Sequence, residues 1–298
     1  MSDIIFTIYI STVKMAIPIL FASLGGLITY HAGIINVAME GLMLSGAFAA
    51  VVFSYMYSSA FMGILGAIII SVLFSLLYSF FVTNLKANNF AIGFALNIFI
   101  SSLTLYLTRI MFKGQNVFNS PDIKAIPNLS FDLGSQILNN LFTNFSILVY
   151  LSIILIFVIS YFTFKTPFGL WLRAAGSRPN ALVTAGIKIS VIQYSASILC
   201  GILCGLAGAQ LSLSNVVLFS KDMSGGRGFV ALAVILIAKG KPSLVLAISL
   251  LFGLFDALSV QLQSSYIPPQ FLFMLPYLVT IGSLVIISIS QKRNLFIR

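Results

Sequence analysis

The chain has 298 residues, 59% of them hydrophobic and 7% charged, against about 25% charged residues in a soluble domain, so the composition excludes a soluble globular protein. At about 20 apolar residues per crossing of a hydrocarbon core about 30 Å thick, the length holds about eight to ten membrane spans and no separate soluble domain. The net charge of +10, from 16 Lys and Arg against 6 Asp and Glu, is scattered singly between apolar runs; this excludes a nucleic-acid-binding stripe and points to the positive-inside bias of membrane loops.

Residues 1–14 include Asp3 and lack both a basic n-region and a small-residue cleavage site, so no removable signal peptide is expected. Apolar runs interrupted by charge, Gly and Pro predict spans near 15–30, 41–58, 61–84, 88–111, 146–164, 190–213, 228–238, 243–262 and 271–290. The expected fold is all-α, a polytopic transmembrane helical bundle of about nine spans with broken helices arranged as an inverted repeat.

Residues 4–13 are too short to cross alone, and residues 31–40 contain no Lys or Arg. The latter stretch is read as a broken helix at membrane depth that stays clear of the cytoplasm. Glu40, the only glutamate, lies in INVAMEG (35–41), where the helix resumes. Its charge suits a positive helix end. It either bonds its own first turn or lines a pathway.

In the fourth predicted span Asn89, Gly93, Asn97 and Ser101 recur every four residues and share one face. Close packing explains the glycine, but two asparagines are more than packing needs, and Asn97 is a candidate for substrate contact. The polar stretch 112–145 reads as the main external loop, either a docking surface or a solvated connector.

The segment 165–190 contains Lys165, Arg173, Arg178 and Lys188 and no acid, which places it in the cytoplasm. Alternating from that anchor puts Lys86, Lys239, Lys241, Lys292, Arg293 and Arg298 on the same side. Lys14, Arg109, Lys113, Lys124, Lys221 and Arg227 fall opposite, with Asp3, Asp122, Asp132 and Asp222.

The sixth predicted span carries Ser197, Gly201, Gly205 and Ala209, with Gly208 beside them, a small-residue face for close helix packing. Cys200 and Cys204 lie within it and read as packed membrane thiols, since a structural zinc site needs four ligands. Next, SGGRGFVALAVILIAKG opens on Gly225, Gly226, Arg227 and Gly228. This reads as a tight turn starting a short helix; it lacks the spacing and Lys-Ser/Thr of a phosphate-binding loop. Asp256 lies mid-span with Ser259 and Gln263 on its face, either bonding a neighbouring helix or lining a pathway. The two interrupted places fall in opposite halves, and GAFAA (46–50) aligns with part of GFVALA (228–233). The lone His31 excludes a two-histidine zinc protease motif, no GxSxG is present, and no metal or other cofactor is expected.

The runs GGLITYHAGIINVAMEGLMLSGAFAA, FAIGFALNIF, TPFGLWLRAAGSRPNALVTAGI, GGRGFVALAVILIAKGKPSLVLA, LFGLFDAL and MLPYLVT resemble, in order along nearly the whole chain, the permease subunits of ABC importers for nucleosides and simple sugars. These are relatives of the ribose and branched-chain amino-acid permeases. The resemblance implies one permease domain over 1–298, paired in the membrane with a related but distinct permease chain. It further implies two cytoplasmic ABC ATPase subunits that hydrolyse ATP and an external substrate-binding lipoprotein; nothing in this chain would be catalytic. Residues 168–187 match the coupling segment that docks on the ATPase, through Gly169, Arg173, Ala174, Gly176, Asn180, Ala185 and Gly186. Arg178 and Pro179 depart from the family's acidic residue and alanine pair, although proline suits a first helical turn. INVAMEG carries over Asn36, Glu40 and Gly41 to the half-membrane region near the pathway, and FALNIF carries over Asn97. The rival reading is an ion- or proton-driven secondary transporter titrating Glu40 or Asp256.

Overall fold

The computed structural model describes residues 2–112, 116–129 and 145–262, with positions 278 and 282. The helices are α1 (Ser2–His31), α2 (Met39–Tyr57), α3 (Ala60–Ser79), α4 (Asn89–Met111), α5 (Ile147–Lys165), α6 (Pro167–Ser177), α7 (Pro179–Thr184), α8 (Ile189–Ala209), α9 (Arg227–Ala238) and α10 (Pro242–Leu262). Helices α3 and α8 run on into π-helical turns at Phe80–Asn84 and Gln210–Asn215. The only strands among the described residues are four two-residue pieces outside the bundle, β1 (Val117–Phe118) paired with β4 (Phe219–Ser220) and β2 (Asn128–Leu129) with β3 (Phe145–Ser146), both antiparallel.

Seven of these helices are long and apolar enough to cross a membrane, and α9 is shorter. They account for eight of the nine predicted spans. The ninth, near 271–290, lies outside the described residues apart from 278 and 282, as do Gln263, residues 130–144 of the external loop, and the basic tail residues Lys292, Arg293 and Arg298.

The start of the chain differs from expectation. Residues 4–13 are no separate piece: α1 is one 30-residue helix that carries Pro18 in its interior. At 1.5 Å per residue it is about 45 Å long, enough to cross with tilt or overhang.

Helices α1 and α2 form the core, each 78% buried over its most apolar window, whereas α3 and α4 are 28% buried and present apolar faces outward. Helix α8 packs into this core because its small residues let backbones meet. A side chain at Gly205 would strike the Ala67 carbonyl of α3, and one at Gly208 would strike the backbone of Met43 to Ala47 on α2. The small-residue face is therefore structural. Ser75 Oγ donates to the Ser197 carbonyl at 2.6 Å across the same contact.

The Lys and Arg of residues 86–88, 165–188 and 239–241 mark one end of the bundle, called here the basic end. His31 closes α1 there: its Nε2 lies 2.9 Å from the Gly240 carbonyl oxygen, and a side chain on Gly33 would meet Gly176. The linker from Ala32 to Ala38 thus begins at the basic end, contrary to the expectation that it keeps away from it. Lacking Lys or Arg, it is held instead by backbone contact with glycines. It then climbs to Glu40, which meets the start of α9. The 12 residues of α9 span about 18 Å, so this meeting point lies near mid-depth of a core about 30 Å thick.

Candidate functional site

The two interruptions found in the sequence come together at that depth. The Glu40 carboxylate accepts from Ser224 Oγ at 2.5 Å and Gly226 N at 2.8 Å through one oxygen, and from Gly228 N at 2.7 Å through the other. These N–H groups belong to the first turn of α9, which has no helical partner for them. A carboxylate there also meets the positive end of the helix dipole. Glu40 therefore bonds the first turn of a different helix, an alternative that neither sequence reading contained. Gly228 is required by this approach, because a side chain on it would overlap the Glu40 backbone.

Arg227, the first residue of α9, reaches the other way. Its Nε donates to Asp256 Oδ2 of α10 at 3.2 Å, with side chains 20% and 16% exposed, and its Nη1 donates to the Ser224 carbonyl at 3.4 Å. Nη2 lies 3.6 Å from Met15 Sδ of α1. Asp256 thus makes the interhelical bond that was one of its two readings. Arg227 was read only as part of a turn; the signal available was that it and Asp256 are opposite charges in neighbouring apolar runs, where each is costly without the other.

Asn97 of α4 clamps the linker. Its Oδ1 accepts from Gly41 N at 2.8 Å and its Nδ2 donates to the Val37 carbonyl at 2.9 Å. Gly93, one turn earlier, packs against Val37 and Ala38. Asn36 is 2% exposed; its Oδ1 accepts from Ala38 N at 3.0 Å and its Nδ2 points to Cys200 Sγ at 3.3 Å. These amides satisfy the backbone groups that an irregular stretch leaves open in a medium without water.

Further along α4, Ser101 Oγ donates to Asp222 Oδ1 at 2.5 Å. Ser101 is the thirteenth residue of a 23-residue helix, so Asp222 also lies near mid-depth, half-exposed beside Lys221.

At the basic end, α6 begins with Pro167 and the Thr166 cap, whose Oγ1 accepts from Gly169 N at 3.1 Å. Gly169 passes under the carbonyls of Phe162 and Thr163 with no room for a side chain. Arg173 places its guanidinium 5.1 Å from the Phe164 ring centre, and His31 meets the same ring edge-on at 5.8 Å. A side chain on Gly176 would collide with the His31 carbonyl and Gly33 N. A cavity of about 340 Å³ between Tyr30, His31, Gly33, Ile35, Arg173 and Gly176 opens here. Helix α7 starts at Pro179 with Arg178 as its cap. From Gly176 to Gly186 every residue but Leu182 is exposed, Asn180, Ala185 and Gly186 among them, while Ala174 is half-buried. Gly186 ends the elbow with φ of 75°, where glycine is free of strain.

A family model described as "Branched-chain amino acid transport system / permease component" matches residues 8–284. The chain belongs to this permease family. With its apolar helices, that membership makes it a multi-pass integral protein of the bacterial plasma membrane and a non-catalytic subunit of an ABC transporter. It is 33% identical to the nucleoside ABC transporter permease protein NupC of Lactococcus lactis over 94% of this chain and 92% of that one. It is 30% identical to the guanosine ABC transporter permease protein NupQ of Bacillus subtilis, covering 92% and 89% of the two chains. A solved ABC transporter structure in an inward-facing conformation shares the fold of this permease, with a TM-score of 0.54 at 14% identity over 93% of this chain and 85% of that one.

Proposed function

We propose that this permease subunit belongs to an ABC importer that passes nucleosides across the plasma membrane by alternating access, powered by ATPase subunits on separate chains. The observation that carries the reading is the likeness, along more than nine-tenths of the chain, to two permeases named for nucleosides. Simple sugars are the second cargo class. A related second permease chain and an external binding lipoprotein complete the assembly.

In this reading the basic end faces the cytoplasm, and the exposed elbow from Gly176 to Gly186 docks on the ATPase. Gly176 bears on His31 and Gly33, and His31 bears on Gly240, at the far end of the helix that Glu40 caps. Movement of the elbow is thereby passed to α1, the linker and α9 as packed rigid elements. Asn36, Glu40, Asn97 and Asp256 serve this pathway by holding the broken helices in register around it.

Glu40 and Asp256 already accept from α9, which favours ATP over a titrating carboxylate as the driving device. Guanosine uptake into proteoliposomes containing the complete transporter tests the reading. Uptake that requires internal-face ATP and survives a protonophore is expected. Uptake without ATP that collapses with the ion gradient would overturn it.

A further inference from the structure

The loop from Lys221 to Gly226 is irregular backbone near mid-depth, yet Lys221, Asp222 and Gly225 are exposed. Irregular, charged backbone is tolerated at that depth only against protein or water, never against lipid. This loop and the adjoining face of α4 are therefore turned to protein or water, as a wall of the pathway is. Two contacts meet here: Ser101 with Asp222, and Phe94 with Phe229, whose rings stack at 5.8 Å and 27°. Phe94 and Ser101 are seven residues apart on one helix face, about 10 Å along the axis. Both rings keep exposed surface beside this contact, 51% and 36%. An aromatic face stacks on any planar base, and a carboxylate accepts from sugar hydroxyls.

Resting on the nucleoside reading, we propose that Phe94 and Phe229 form a shelf on which the base of a passing nucleoside stacks, while Asp222 accepts from its ribose hydroxyls. Phe94 and Ser101, which holds Asp222, lie about 10 Å apart along α4, so a cargo that uses both groups carries a planar base as well as a hydroxyl-bearing sugar.

The test measures radiolabelled guanosine uptake by cells carrying the whole transporter, with the amount of each permease variant in the membrane determined by immunoblot. Phe94→Leu with Phe229→Leu is expected to lower uptake about tenfold, the scale of one lost base stack. Phe94→Tyr with Phe229→Tyr keeps the rings and is expected within about twofold of wild type on the same principle. Asp222→Asn is expected to lower guanosine uptake while leaving inhibition by free guanine unchanged. Phe157→Leu, on an outward face of α5 that is 71% exposed, leaves uptake intact. Should the double leucine variant be missing from the membrane, the single Phe94→Leu and Phe229→Leu variants decide. Full uptake in leucine variants present at normal level overturns the shelf alone, as does equal loss in the tyrosine variants. A wild-type transporter that moves no nucleoside overturns the cargo reading and the shelf together.

Discussion

Glu40 Oε2 accepts the Gly228 N–H at 2.7 Å, so the carboxylate at the start of α2 closes the open end of α9. A charge at a helix end contributes about 0.3–2 kcal/mol, and each hydrogen bond to a charged group about 1.5–3 kcal/mol. Glu40→Gln keeps the size but turns an acceptor into a donor facing an N–H. It should lower the Tm of the purified transporter and reduce uptake, and Glu40→Ala should do more of both. Gly228→Ala should prevent folding, because its methyl overlaps the Glu40 backbone. A Tm unchanged in Glu40→Gln would show that the bond carries no structural load.

The Arg227–Asp256 pair makes a different prediction. Removing one partner of a buried pair leaves an unpaired charge and costs about 3–5 kcal/mol, whereas replacing both by apolar residues of similar size is close to neutral. Arg227→Met and Asp256→Leu should each cut the yield of folded protein on size exclusion, and the double variant should recover it. A double variant no better than the worse single would argue against the pairing.

For Asn97, clamping and cargo contact separate experimentally. Asn97→Ala orphans the Gly41 N–H and the Val37 carbonyl, at about 1–3 kcal/mol each. Loss of thermal stability without any substrate present is therefore expected, alongside reduced uptake. Normal stability with lost uptake would assign the residue to the cargo alone.

At the basic end, Gly176→Val wedges a side chain between α6 and the end of α1. The expected result is continued ATP hydrolysis with uptake strongly reduced. Arg173→Met, which removes the cation from Phe164, should give a milder form of the same uncoupling. Both are read by comparing ATPase and uptake rates of one preparation, and parallel loss of the two activities would contradict the coupling role.

The bundle and most of its spans were legible in the sequence, because a helix in hydrocarbon satisfies its own backbone and only needs about 20 apolar residues in a row. The breaks were legible too, as glycines and polar residues that such a run does not otherwise tolerate. The break before Glu40 was located correctly along the chain but misplaced in depth, since absence of basic residues says nothing about glycine-mediated contact with a distant segment such as Gly176.

What the sequence by itself determined is therefore local: which segments cross, which end is basic, and which few polar residues sit inside. Who bonds to whom was decided by tertiary structure. Glu40 and Gly228 are 188 positions apart, and nothing in either segment names the other. The partnership exists because α8 draws α2 and α3 together on its glycines and α1 holds α9 and α10. Two open helix ends then meet in a medium that offers no water, where each can be satisfied only by the other.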